Sequence, residues 1–173
     1  MKVEAVPAEE TDEPTLRNLL QLYLHDLSEF ESIEVSDEGE FRYPYLSNYW
    51  AEPGRYAYLL MVDDALAGFA LVKSGSELVG DDWAKELAEF FVLRKYRHKG
   101  VGRTVATHLF AMFPGPWVVA VIQQNRDAAQ FWDHVISGSA VRELNKVAIN
   151  DGKRDWVVFQ FEFSESTSDR ASG

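Results

Sequence analysis

The sequence predicts an α/β (α+β) fold in which one mixed, mainly antiparallel sheet is flanked by helices. Apolar strands and amphipathic helices alternate along the chain, and no internal repeat is present. One hairpin precedes a central apolar strand and another hairpin ends the pattern. The central strand reaches a second apolar strand through a helix, so these two strands are expected to be parallel neighbours.

The composition bounds the class of protein. A chain of 173 residues suggests one domain, which we place at residues 1–163, with a polar and disordered tail at 164–173. The absence of cysteine excludes disulfides, thiol catalysis and Cys-ligated metals. No apolar run reaches the ~18 residues of a membrane-spanning helix. The first residues lack the apolar segment of a secretory signal, so we expect a cytoplasmic protein without membrane contact.

The charge of the chain is strongly acidic, with a formal net charge of -11. This argues against a nucleic-acid partner, which would require a basic face. Solubility is the simpler reason for the acidity, and attraction of a cationic substrate is the alternative. Against this background, five basic residues fall within ten positions. They are Arg94, Lys95, Arg97, Lys99 and Arg103.

Hydrophobic periodicity and turn residues predict the elements of the first half. Helical spacing of leucines and aromatic residues indicates one long helix after the first strand. The predicted elements are a strand at 2–6, a helix at 13–29, an acidic loop at 31–40, a short helix at 45–50, hairpin strands at 55–63 and 65–73, and a polar loop at 74–83.

The second half begins with the central strand. It continues through a basic turn into an amphipathic helix, whose buried face is expected to include Met112 and Phe113. Asn125 is a suitable N-cap for the next helix. The predicted elements are a strand at 87–93, a turn at 94–99, a helix from 101 to 113, a strand at 117–122, a helix after Asn125, and hairpin strands at 141–149 and 156–163.

The junction of central strand, glycine turn and helix predicts an anion site. The first N–H groups of a helix have no intrahelical acceptor, and the helix dipole places partial positive charge there. Gly100 and Gly102 let the backbone approach a bound group closely. Arg97, Lys99 and Arg103 add full positive charges. A phosphate or pyrophosphate is therefore the expected ligand.

The glycine turn fits two nucleotide-binding motifs poorly. A dinucleotide fingerprint would require glycine or alanine where this chain has Val105, and an acidic residue after the next strand. The Lys-Ser/Thr pair of a phosphate-binding P-loop is absent. A turn eased by glycine, with its basic residues facing water, remains the structural alternative.

The motif Arg97-x-x-Gly100-x-Gly102 after an apolar strand resembles the acetyl-CoA signature of the GNAT superfamily of N-acetyltransferases. The strand at 88–92 is similar to the central strand of that family. Asn125-x-x-Ala128-x-x-Phe131-Trp132 is similar to its second cofactor segment. The first helix, the hairpins and the terminal strands also occur in the order of the family. One departure is His98, where members often carry glycine.

The resemblance implies a site for coenzyme A. The backbone from His98 to Arg103 would surround the pyrophosphate, and the pantetheine arm would pair with the edge of residues 90–93 between two splayed parallel strands. An N–H near Phe91 or Val92 would stabilise the oxyanion. Asn125 would contact the cofactor or act as a plain N-cap. The expected cofactor-binding residues are Phe90, Phe91, Val92, Arg97, His98, Lys99, Gly100, Val101, Gly102, Arg103 and Asn125.

Glu89 is the candidate catalytic residue that the resemblance implies. A free ammonium of pKa ~10.4 cannot attack, and an ordinary glutamate lies some six pKa units lower, so direct proton transfer would cost about 8 kcal/mol. Glu89 would therefore act through water, act with a raised pKa, or orient the ammonium. The alternative is that Glu89 is a strand residue facing solvent.

The sequence specifies the acid for the leaving group and the acceptor pocket less well than it specifies the cofactor site. Many members carry a tyrosine acid in the second cofactor segment, where this chain has Trp132, whose indole is no acid at neutral pH. An aromatic segment could line the acceptor pocket or simply pack a small helix. Its members are Tyr43, Tyr45, Tyr49 and Trp50. The four histidines are too scattered to suggest a metal site.

The resemblance therefore implies an acyltransferase that uses acetyl-CoA as acyl donor and no metal. Because the chain has no cysteine nucleophile, acetyl transfer to a primary amine by direct attack in a ternary complex is expected. The acceptor would be a small-molecule amine or a protein amino group, and the protein a monomer or homodimer. One alternative is a GNAT-fold protein that binds acyl-CoA as a sensor or structural module without turnover, and another is transfer of a longer acyl chain.

Overall fold

A computed structural model describes residues 1–164, in which strands and helices alternate as the sequence predicts. Short 3-10 turns at Glu10–Asp12 and Arg94–Tyr96 precede α1 and α3. The elements are β1 (Val3–Pro7), α1 (Glu13–Leu27), α2 (Asn48–Ala51), β2 (Arg55–Val62), β3 (Ala65–Ser76), β4 (Asp81–Val92), α3 (Val101–Met112), β5 (Gly115–Ile122), α4 (Arg126–Ser137), β6 (Val141–Asn150) and β7 (Asp155–Phe163). The tail expected at 164–173 lies outside the described residues, apart from Ser164.

The strands form one seven-stranded sheet in the order β1-β2-β3-β4-β5-β7-β6. The sheet is mainly antiparallel, and β4 and β5 are its parallel pair. In that pair Lys85 is in register with Trp117, and Glu86 is in register with Val118. The predicted fold class and the predicted parallel neighbours are confirmed.

The chain divides into two compact units, of which the first contains Met1–Ser74 and Leu87–Val105. Its core joins the apolar face of α1 to β2, β3 and the end of β4. Leucines at helical spacing on α1 supply one side of this core, as the sequence predicts. The buried members are Leu16, Leu19, Leu20, Leu46, Tyr49, Ala57, Phe69, Leu71 and Phe91.

The second unit contains Gly75–Glu86 and, among the described residues, those from 106 to 164. One cluster of its core is formed by Ala84, Val118 and Val158. A second group is aromatic, with the Phe110 ring centre 4.9 Å from Trp117. The prediction of a single domain over residues 1–163 stays a prediction.

The predicted polar loop at 74–83 is wrong for most of its length. Strand β3 continues to Ser76 and β4 begins at Asp81, so the connection is residues 77–80. Gly80 adopts a φ of 66°, which suits a tight turn. Leu78 and Val79 pack against the Ala84 cluster. The extension consists mainly of polar residues and glycine, so the sequence carries no apolar pattern that would indicate the strand pairing.

Smaller differences concern α3, β5 and the helix face. Met112 was expected on the buried face but is 45% exposed, because it is the last residue of α3. Strand β5 begins at Gly115 instead of residue 117.

The first hairpin is confirmed, and its central residues Asp63 and Asp64 have φ values of 47° and 63°, as a type I′ turn requires. No helix within residues 1–164 is long and apolar enough to cross a membrane.

Candidate functional site

The end of β4 is held tightly against β3 in the first unit. Phe91 is 5% exposed, and its ring centre lies 5.9 Å from Phe69 and 6.0 Å from Tyr23. A Cβ built on Gly68 would lie 2.0 Å from the Phe91 carbonyl oxygen. The Leu93 amide donates to the Ala67 carbonyl at 2.8 Å. The backbone of β4 is therefore fixed where Phe90, Phe91 and Val92 were predicted to meet the cofactor.

The direction of the Val92 amide follows from these contacts. The Phe91 carbonyl faces β3 at Gly68, and no peptide bond among residues 1–164 is cis. In a trans peptide the C=O and the following N–H point in opposite directions. The Val92 N–H therefore points away from β3. The sequence analysis gave the N–H groups of Phe91 and Val92 as candidate oxyanion donors. Of these two, the Val92 N–H is the one directed toward the edge of β4 that faces away from β3.

The turn after β4 has the backbone shape expected of an anion site. His98 and Gly100 adopt φ values of 58° and 80°, both in the left-handed region that glycine favours. The first bond of α3 runs from Thr104 N to Gly100 O at 3.0 Å, so the amides that precede it point out of the helix end. Val101 is fully buried and anchors the helix, while Lys99 is exposed.

Gly100 faces open space. A Cβ built at this position meets no atom within 4 Å. The left-handed φ explains why glycine suits the position, and the open space in front of it leaves room for a ligand. His98 carries a side chain at a left-handed position, which is consistent with the frequent glycine there in the family that the sequence resembles.

Arg97 is bound inside the first unit. Its Nε donates to the Val92 carbonyl at 2.7 Å, and its NH2 group donates to Asp26 Oδ2 at 2.6 Å. The guanidinium carbon lies 5.5 Å from the centre of the Phe91 ring. Arg94 donates to the other carboxylate oxygen of Asp26 at 2.6 Å. Asp26, at the end of α1, was not identified from the sequence.

Asp26 should make the stability of the protein depend on pH. Partial burial alone would raise the pKa of Asp26, but hydrogen bonds from Arg97 and Arg94 outweigh burial and lower it. Because the folded-state pKa is the lower one, the stabilisation is complete above the unfolded-state pKa of ~3.9 and is lost as the pH falls through the folded value. Asp26→Asn should therefore lower the free energy of unfolding at neutral pH by about 1–2 kcal/mol.

Urea unfolding of wild type and Asp26→Asn at several pH values between about 5 and 3 checks this prediction. The wild-type free energy of unfolding should fall more steeply with acid than that of the variant. The exposed Asp37→Asn is the matched control and should follow the wild-type curve. Parallel curves for wild type and Asp26→Asn would contradict the prediction.

Glu89 is half-buried and hydrogen-bonded, not a strand residue that simply faces solvent. The Tyr43 hydroxyl donates to Glu89 Oε1 at 3.1 Å. Burial, and then the Glu89 carboxylate, raise the pKa of Tyr43 and of Tyr23. Both hydroxyls are therefore protonated at neutral pH and able to donate hydrogen bonds.

Tyr43 is positioned by a contact with α1. The Gln21 side chain donates to the Phe41 carbonyl at 2.9 Å and accepts from the Phe41 amide at 2.8 Å. This reciprocal pair fixes the backbone two residues before Tyr43. Gln21 and Tyr23 were missed from the sequence, where Tyr23 was merely one member of the apolar stripe of a helix.

The other predicted aromatic residues have different environments. Tyr49 is buried in the core, and the Trp50 indole donates to the Ala8 carbonyl at 3.0 Å. Tyr45 is 60% exposed, and its ring centre lies 6.0 Å from Tyr43. Packing thus accounts for Tyr49 and Trp50. Tyr43 lies beside Glu89, and Tyr45 lies at the surface.

Asn125 lies in the second unit and acts as the predicted N-cap. Its Oδ1 accepts from the Ala128 amide at 3.1 Å. Trp132 on the same helix is buried, and its ring centre lies 4.9 Å from Phe131. Among residues 1–164, no group of three or more His, Asp or Glu side chains is arranged to hold a metal ion.

Comparison with known structures shows extensive similarity of fold. An acetyltransferase from Thermus thermophilus has a TM-score of 0.68 at 17% identity, covering 94% of this chain and 98% of that chain. The ribosomal-protein-S18-alanine N-acetyltransferase from Escherichia coli has a TM-score of 0.60 at 15% identity, covering 99% and 100%. A protein from Salmonella typhimurium, solved with its cofactor acetyl-CoA, has a TM-score of 0.60 at 16% identity, covering 98% and 99%.

The sequence itself gives a separate result. No curated protein matches the chain significantly. The acetyltransferase (GNAT) family model matches residues 16–135, which include β4, the basic turn, α3 and most of α4. Fold and family model agree with the resemblance that was carried by Arg97, Gly100, Gly102 and Asn125. The chain belongs to the GNAT acetyltransferase family.

Proposed function

We propose that this protein transfers the acetyl group of acetyl-CoA to a primary amine, either of a small molecule or of a protein. The main support is the turn between β4 and α3, where the amides of a helix N-terminus follow Gly100 and its open space. A pyrophosphate fits this arrangement, because exposed N–H groups and Lys99 both favour an anion. The backbone from His98 to Arg103 would hold it.

The orientation of β4 supports a role for Val92 in the transfer step. In the proposed reaction the amine nitrogen attacks the thioester carbon, the oxyanion forms, and the C–S bond then breaks to release coenzyme A thiolate. The Val92 amide would donate a hydrogen bond to the oxyanion, since it points away from β3. Such a donor typically contributes about 10²-fold or more in rate.

Glu89 would receive or relay the proton that the amine loses. Its carboxylate accepts a hydrogen bond from Tyr43, and the same carboxylate would receive an ammonium directly or through water. The carboxylate would also attract the ammonium, and the neighbouring tyrosine ring can favour a cation. The thiolate, with an ordinary thiol pKa of ~8.5, can leave without a strong acid.

A second function, binding of acyl-CoA without turnover, is favoured by one observation. Trp132 is buried where many family members carry an acidic tyrosine. Release of free coenzyme A, measured across a panel of primary amines and amino-terminal peptides, distinguishes the two functions. Amine-dependent release supports the enzyme, whereas binding without release on any amine supports the sensor.

Gly100→Val tests the cofactor site directly. The new side chain would project into the open space and would strain the left-handed backbone, so we expect acetyl-CoA to bind at least about tenfold more weakly. Isothermal titration calorimetry gives the Kd. Gly39→Val is the control, because Gly39 is also left-handed and faces open space but lies in the loop after α1. Equal Kd values for Gly100→Val and wild type would refute the phosphate-loop assignment.

A further inference from the structure

Arg97 is the first residue of the sequence signature, and a phosphate contact is the simplest role for a basic residue in this turn. Its guanidinium nevertheless has three contacts within its own unit, namely Asp26, the Val92 carbonyl and the Phe91 ring. The Arg97 side chain is 35% exposed, and that of Asp26 is 24% exposed. The charge of Arg97 is thus directed toward α1 and β4.

Through these contacts, Asp26 on α1 and Arg97 in the basic turn are both connected to the Val92 carbonyl at the end of β4. Asp26 and Arg97 are separated by 71 positions in the sequence, and the carboxylate also binds Arg94. The planar guanidinium fork suits this arrangement because its donors have a fixed geometry. In a strand, the N–H and C=O of one residue point to the same side. The bond from Arg97 to the Val92 carbonyl therefore fixes the side to which the Val92 amide points.

We propose that Asp26 and Arg97 form a brace that positions the Val92 amide, and that Arg97 is a positioning residue instead of a phosphate ligand. This inference rests on the proposed function, in which the Val92 amide stabilises the oxyanion. The brace acts on the acetyl-transfer step more than on cofactor affinity. Lys99, exposed in the same turn, is the contrasting residue and would contribute to phosphate binding through its charge.

The test compares Arg97→Gln, Arg97→Lys, Asp26→Asn and the matched variant Lys99→Gln. For each, calorimetry gives the Kd of acetyl-CoA at low and high salt, and release of coenzyme A with a saturating amine gives kcat. We expect Arg97→Gln, Arg97→Lys and Asp26→Asn to lower kcat about tenfold with Kd changed less than about twofold. Lys99→Gln should raise the Kd and weaken its salt dependence, an effect on binding that the other three variants should lack.

Arg97→Lys is the most informative variant, because lysine keeps the charge but not the fork. A normal kcat for Arg97→Lys, or a Kd that rises with a weaker salt dependence for Arg97→Gln but not for Asp26→Asn, would overturn the proposal. Either result would identify Arg97 as a charge acting on the phosphates.

Thermal unfolding of the single and double variants tests the brace without any ligand. If Asp26 and Arg97 act together, Asp26→Asn/Arg97→Gln should lower the Tm by clearly less than the sum of the two single shifts, with the contact of Asp26 to Arg94 accounting for the remainder. Additive Tm shifts would overturn the brace itself, even in an active enzyme. Conversely, failure of the wild type to bind acetyl-CoA would overturn the proposed function while the Tm comparison still decides whether the brace exists.

Discussion

Glu89→Gln is expected to lower the rate of amine-dependent coenzyme A release at neutral pH by about 10²-fold or more. Glutamine has nearly the same shape and can still accept the hydrogen bond from Tyr43, so the fold should be retained. It cannot take a proton, and it lacks the charge that attracts an ammonium. The loss should appear in kcat/KM for the amine, while the Kd of acetyl-CoA stays near the wild-type value.

The pH dependence tests whether Glu89 acts on the protonated amine. If it does, whether by removing the proton or by orienting the ammonium, the deficit of Glu89→Gln should shrink as the pH approaches the amine pKa of ~10.4, where free amine is abundant. A deficit that stays constant with pH would mean that Glu89 does not act on the protonated amine. Asp82→Asn, an exposed carboxylate at the other end of β4, is the control and should behave as wild type. An unchanged rate for Glu89→Gln at every pH would exclude a role in proton transfer.

The elements that the sequence predicts well are those with a local signal. Leucines at helical spacing indicate α1, and the continuous apolar run of β5 indicates a strand covered on both faces. Asn125 begins α4 as its capping chemistry requires. The extension of β3 and β4 into the loop predicted at 74–83 escaped prediction, because its stability comes from strand pairing and from the packing of Leu78 and Val79.

Prediction of the candidate site from the sequence was limited in the same way, to features with a local signal. The turn at Gly100 was recognisable, because its glycines and helix start are adjacent in the sequence. The contact between Tyr43 and Glu89 joins residues 46 positions apart, and that between Asp26 and Arg97 joins residues 71 positions apart. Neither pair has a local pattern that distinguishes it from ordinary surface residues. The positive charge of Arg97 was predictable from the sequence, but the contacts of its side chain with Asp26 and the Val92 carbonyl were not.

Gly68→Ala is expected to have the largest effect on stability. The new Cβ would lie 2.0 Å from the Phe91 carbonyl oxygen and 3.1 Å from the Val92 Cα, which are backbone atoms that cannot rotate away. Strand β3 or β4 must therefore shift, at a cost of about 3 kcal/mol. For a chain of this size the Tm should fall by roughly 6–12 °C. The register between β2 and β3 also changes beside this position, at Leu60 and Met61, so β3 is already irregular there.

The same shift should reduce acetyl transfer at temperatures where Gly68→Ala remains folded, because it moves the peptide that carries the Val92 amide. Gly80→Ala is the matched control. Gly80 has a left-handed backbone, and a Cβ built at this position meets no atom within 4 Å. The variant therefore bears only backbone strain of about 1–2 kcal/mol and should keep its activity. The excess loss of Tm in Gly68→Ala over Gly80→Ala then measures the steric clash with β4. Equal losses in the two variants would mean that β4 yields to the methyl group without cost. In that case Gly68 would not be what fixes the Val92 amide, and the brace from Arg97 would have to hold it alone.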